Sequence, residues 1–133
     1  MLGRLSVGML AFLLPLKLHA DTIPCGHRFA EAKARNLFKF VQQKPDLNTG
    51  VTASRLIEIQ EVRQARLEEY GMLVRYCEGI LLLDNGDRLK IHYRLGSRDA
   101  YKADRAEDIQ ICWQNTKYGV VDVPDQSLGC SEH

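Results

Sequence analysis

The stretch from Arg75 to Leu95, RYCEGILLLDNGDRLKIHYRL, constrains the fold more than any other part of the chain. β-Branched and aromatic residues flank Asp84-Asn85-Gly86-Asp87, and Asn-Gly tolerates the positive φ angles of a tight primed turn. Two antiparallel strands joined by a hairpin are the expectation. In the second arm Ile91, Tyr93 and Leu95 alternate with Lys90, His92 and Arg94. One face is then apolar and the other carries three potentially cationic groups, giving a sheet with a core side and a wet side.

The neighbouring segments extend this sheet. Ile109, Ile111 and Trp113 share one face of a further strand, with Cys112 on the other, and Val120 to Val123 adds a short strand before Pro124. Leu56 to Glu69 is ambiguous, because its Leu, Gln, Glu and Arg content favours helix in isolation. Ile57 and Ile59 nevertheless alternate directly after a turn, so the segment reads as a long strand bulged near Val62, with helix as the alternative. Upstream, Ala30, Ala34, Leu37, Phe38 and Val41 recur at helical steps, and Pro45 ends the pattern. Helix followed by antiparallel meander is an α+β domain, one N-terminal amphipathic helix packed on a curled sheet. The element order resembles cystatin-like and nuclear-transport-factor-like folds, a resemblance of order that implies no function.

Residues 1–20, MLGRLSVGMLAFLLPLKLHA, read as a secretory signal peptide: Arg4, an apolar run from Leu5 to Leu16, Pro15, and Ala20 at the cut. That run is shorter than the roughly 20 apolar residues of a bilayer span, so no membrane anchor is expected after cleavage. The mature domain is then residues 21–133, a single domain by size. Losing Arg4 and Lys17 leaves 16 of 18 basic side chains against 17 acidic ones. Such neutrality gives no electrostatic reason to bind nucleic acid.

All four cysteines, Cys25, Cys77, Cys112 and Cys130, fall in the mature part, at gaps of 52, 35 and 18 residues. An even number in an exported chain reads as two disulfides, and gaps of this size suit neither zinc nor redox C-x-x-C chemistry. Of the three possible connectivities, Cys77–Cys112 with Cys25–Cys130 is the expected one, tying the hairpin to the last strong strand and clipping the two ends together.

The search for chemistry finds little. His92 is the one histidine placed for acid/base work, since His27 lies at the helix start and His133 is the last residue. No G-x-S-x-G, H-E-x-x-H or P-loop pattern accompanies it. Asp84 and Asp87 serve turn geometry as well as they would serve calcium, so neither metal nor cofactor is expected. Tyr93 and Trp113 fit apolar faces, whereas Tyr101 and Tyr118 occur in polar loops and are candidate contact aromatics.

These readings converge on a small periplasmic or secreted domain that acts on a protein partner without catalysis, an inhibitor or immunity-type protein against a secreted hydrolase being the narrower form. The expected contact surface is the wet face bearing Arg75, Lys90, His92 and Arg94, with Tyr101 in the adjoining loop. A small hydrolase using His92 as general base and a structural subunit of an envelope assembly are the alternatives.

Overall fold

The computed structural model describes residues 24–67, 72–97, 108–124 and 126–130. Residues 1–20 and Tyr101 lie outside them. Helix α1 (Arg28–Gln42) precedes strands β1 (Ala53–Leu67), β2 (Met72–Leu83), β3 (Arg88–Ser97), β4 (Asp108–Asn115) and β5 (Gly119–Val121), and a 3₁₀ turn spans Gln126–Leu128. The strands pair in chain order as an antiparallel meander, and α1 packs on one side of it. Over the described residues the fold is α+β, one helix on a five-stranded sheet with two disulfides.

Helix α1 starts where the His27 Nδ1 accepts the Phe29 N–H at 3.1 Å, taking the N-cap role usually filled by Ser, Thr, Asp or Asn. Ala30, Ala34, Phe38 and Val41 are buried, and Leu37 is only partly so. Gln42, which the spacing leaves off the apolar stripe, is 4% exposed. Its amide earns that place by donating to the Tyr118 carbonyl at 2.8 Å while its Oε1 accepts the Thr49 hydroxyl at 2.8 Å.

The ambiguous segment is strand. Its local preference for helix loses to pairing with β2, which runs from Ala53 opposite Leu83 to Leu67 opposite Met72. Register shifts interrupt the ladder after Ala53, after Ile57 and around Val62, the last where the sequence predicts a bulge. Glu58 has a φ of 52° at the second of these, opposite Gly79. A Cβ on Gly79 would stand 3.1 Å from Leu56 Cδ1 and 3.4 Å from the Ile57 carbonyl, so glycine lets β1 pack closely on β2 at the bulge without displacing Leu56. Glu31 of α1 accepts the Leu56 N–H at 2.8 Å, satisfying a donor on this edge strand.

The hairpin joins β2 to β3 as expected, but its turn differs in kind. Gly86 N–H bonds the Leu83 carbonyl at 3.0 Å, and only Gly86 has a positive φ, 92°, while Asn85 keeps an ordinary one. Two central residues in ordinary geometry followed by a left-handed glycine replace the primed turn. Asn85 Oδ1 instead accepts the Asp87 N–H at 2.9 Å, and Asp84 accepts the Thr52 hydroxyl at 2.9 Å.

The disulfides are Cys25–Cys77 and Cys112–Cys130, not the expected pairing. The reason is face parity. Cys77 stands opposite Tyr93, which stands opposite Ile111, so Cys77 points to the helix side. Cys112 stands opposite His92 and points away from it. A bond between Cys77 and Cys112 would have to pass through the sheet, whereas Cys25, just before α1, sits on the helix side beside Cys77. The Tyr93 hydroxyl donates to the Cys25 carbonyl at 2.7 Å and fixes the same corner.

Two apolar clusters result. The larger, on the helix side, gathers Phe38, Leu81, Leu83, Leu89, Ile91, Tyr93, Ile111 and Trp113. The Phe38 ring lies 6.0 Å from Trp113 and 5.7 Å from Tyr118. The smaller, on the opposite face, contains Val74, Tyr76, Cys112, Leu128 and Cys130, with Ala65 and Val123 packed against it.

Candidate functional site

The strand registers fix what lies on the face away from the helix. Arg55, Leu82 and Arg88 form one cross-strand row, Ile57, Ile80 and Lys90 the next, then Gln60, Glu78, His92 and Cys112, then Arg63, Tyr76, Arg94 and Gln110. Lys90, His92 and Arg94 share this face as the alternation predicts. Arg75 does not: it stands opposite Leu95 and in phase with Cys77, on the helix-side face. Its guanidinium pairs with the Glu61 carboxylate, and its side chain is 14% exposed. The hairpin sequence contained the correction, since a turn that sets Leu82 against Arg88 also sets Arg75 against Leu95.

The expected row of free cations is a mixed-charge surface. Lys90 Nζ lies 3.2 Å from Glu78 Oε1, and Arg88 pairs with Glu58. Arg63 lies over the Tyr76 ring, 3.9 Å from its centroid. Beside the β1 bulge, over Gly79, a depression of about 100 Å³ opens between Glu58, Gln60, Glu78, Ile80 and Lys90. It is too small for any but a side-chain-sized group.

This face divides into a covered and an open half. Residues Gln126–Cys130 form a strap that the Cys112–Cys130 bond holds down over Val74 and Tyr76. Gly129, with a φ of 102°, lies so close to His92 that a Cβ there would stand 3.3 Å from the ring Nδ1. Toward the hairpin turn no such cover exists among the described residues: Ile57, Ile80 and Leu82 are partly exposed between exposed Arg55, Arg88 and Lys90.

His92 lies at the boundary between the halves. Burial lowers its pKa below 6.5, Glu78 raises it in opposition, and Lys90 adds to the lowering. Its Nδ1 is 4.0 Å from Glu78 Oε2, beyond hydrogen-bond reach.

One further expectation changes. Tyr118 is not a surface aromatic: it is 3% exposed and part of the main core. Asn115 Oδ1 accepts the Lys117 and Tyr118 N–H groups at 2.8 and 2.9 Å, a side-chain turn that swings the tyrosine ring inward. Its hydroxyl donates to Asp87, which also receives Lys117 Nζ at 3.2 Å, so the two hairpin ends are tied together. These donors, with Tyr118 first and Lys117 second, hold the Asp87 carboxyl below 3.8. Ile57, Ile80 and Leu82 look like core on composition. Only the strand registers bring them to the open face.

Among the described residues, no group of three His, Cys, Asp or Glu side chains is placed to hold a metal ion, and no helix is long and apolar enough to cross a membrane. No family model, curated protein or solved structure matches the chain.

Proposed function

We propose that the protein is an exported, non-catalytic protein-binding domain, and that its contact surface is the open half of the sheet face: Ile57, Ile80 and Leu82 with Arg55, Arg88 and Lys90. The observation that carries this reading is the partial exposure of three branched aliphatic side chains in adjoining cross-strand positions, rimmed by charges. Apolar centre and polar rim is the usual anatomy of a protein contact. The Lys90–Glu78 and Arg88–Glu58 pairs are solvent-exposed and worth only about 0–1 kcal/mol each, so a partner could exchange them at little cost.

Export is supported by the signal-like first twenty residues and by two disulfides, which suit an oxidising periplasmic or extracellular setting. The non-catalytic reading is supported by the His92–Glu78 separation, by the strap over His92, and by the use of Cys25, Cys77, Cys112 and Cys130 in disulfides. Of the surface read from sequence, Lys90 belongs to the open half, and His92 and Arg94 to the covered part beside it. An inhibitor or immunity-type protein against a secreted hydrolase is the narrower form of the proposal.

The test is capture from periplasmic or culture fluid by the mature chain with both disulfides intact, in parallel with Ile80→Glu and, as a control elsewhere on the surface, Val62→Ser. The expected result is one saturable partner at fixed stoichiometry, bound at least about tenfold more weakly by Ile80→Glu, the cost of an unpaired buried charge. Val62→Ser should bind as the parent does. No partner at micromolar concentration, or capture indifferent to Ile80→Glu, would sink the proposal. If the partner is a hydrolase, its loss of activity at the same stoichiometry tests the inhibitor form.

A further inference from the structure

We infer that Gln126–Cys130 is a separately releasable strap, latched by the Cys112–Cys130 disulfide, whose opening uncovers Val74, Tyr76 and His92 while the rest of the fold stays closed. This goes beyond the binding proposal and does not depend on it.

Three observations carry the inference. The strap contributes Leu128 and Cys130 to the smaller cluster, on the far side of the sheet from α1, and neither residue belongs to the main core. The other disulfide, Cys25–Cys77, lies wholly on the helix side, where the Tyr93 hydroxyl also holds Cys25. Breaking one bond therefore leaves the other and its packing untouched. Finally, Gly129 lies against the His92 ring, where a Cβ would be in tight contact and the φ of 102° would strain any other residue, so strap and ring report on each other.

Small clusters at a chain segment open at lower cost than the whole fold. The latch suppresses that opening by closing a loop between residues 18 apart, and for loops of this size the entropic effect is on the order of 100-fold in the ratio of open to closed strap. Both sulfurs of the latch belong to buried residues, Cys112 at 0% and Cys130 at 6% exposure, so a reductant reaches them through the open form. In that exchange a dithiol attacks one sulfur as thiolate, the mixed disulfide is resolved by its second thiol, and the dithiol leaves as its own disulfide. Cys112 and Cys130 gain two electrons and two protons. The newly exposed Val74 and Tyr76 lie on the same face as the open half, across the polar row of Gln60, Glu78 and His92, so release adds a second apolar and aromatic patch to that face.

The experiment has two arms on the full mature chain. In the first, dithiothreitol is titrated against the oxidised protein and freed thiols are trapped by alkylation. Cys112 and Cys130 should be labelled while Cys25 and Cys77 remain bonded. Reduction of both bonds together, or of Cys25–Cys77 first, overturns the inference. In the second, C112S/C130S is compared with the parent by amide hydrogen exchange and by the NMR titration of His92. The expected result is exchange at Ser127–Cys130 on the order of 100-fold faster, His92 titrating closer to 6.5, and unchanged protection at Ala34–Phe38. An unaltered strap and His92, or protection lost in α1 in step with the strap, overturns it, as does global unfolding of the variant.

Discussion

On the helix side of the sheet, Phe38, Tyr93, Ile91 and Trp113 are fully buried and α1 covers them along its length. On the opposite side Val74 and Cys112 are equally buried, yet among the described residues their cover is five residues of strap, Val123 and one disulfide. One face is sealed by an element of fifteen residues with its own hydrogen bonds, the other by a covalent tether. Equal burial does not mean equal resistance to opening: what matters is how much structure must come away with the cover.

The sharpest way to break that contrast is to empty one position on each side. Phe38→Ala removes a ring packed between Trp113 and Tyr118, and urea denaturation should show a loss of about 3–5 kcal/mol. Gln42→Ala comes next, because it leaves the Tyr118 carbonyl and the Thr49 hydroxyl without their buried partner. A loss of about 1–3 kcal/mol is expected, measured the same way. Leu128→Ala deletes as many buried carbons as many core substitutions do, but the strap can undock instead of strained packing spreading inward. Its global cost should stay at or below about 1 kcal/mol, while hydrogen exchange at Ser127–Cys130 rises. A loss equal to that of Phe38→Ala would show the two faces to be one cooperative unit.

How much of this was legible in the sequence follows from the range of the signals. Alternation in Lys90–Leu95 and in Ile109–Trp113 assigned the faces of β3 and β4, because period two is a local property. The same arithmetic, carried across the turn, would have placed Arg75 with Leu95 and separated Cys77 from Cys112 by face. That step needs both strands and the turn between them, which the alternation within one strand does not contain. Other features depend on contacts far apart in the chain. Gln42 is buried because Tyr118, 76 residues away, offers a carbonyl, and nothing near Gln42 announces it. Tyr118 looked like a loop aromatic because its neighbours are polar, and its burial is set by the Asn115 turn and the Phe38 ring. The division of the outer face into covered and open halves was hidden for the same reason, since it required the Cys112–Cys130 pairing.

The smallest expected effect is also the one that isolates the boundary between the halves. In the folded protein, burial beneath Gly129 disfavours the charged His92 ring more than Glu78 favours it, so its pKa lies below 6.5. Well above 6.5 the ring is neutral in both folded and unfolded chains, and it contributes no pH dependence. As the pH falls through 6.5 the unfolded chain takes up a proton that the folded chain resists, so stability declines until the folded pKa is passed, and then levels off. Asp87 acts in a separate window: its carboxyl is held below 3.8, so its contribution is present above that value and disappears as the pH drops through the folded pKa. Denaturation midpoints measured from pH 7.5 to 5 for the parent and His92→Gln therefore read His92 without interference from Asp87. The parent should lose stability over this interval and the variant should lose less. Parallel curves would mean that the ring is not desolvated by the strap, and the covered half of the face would then be as open to water as the half beside it.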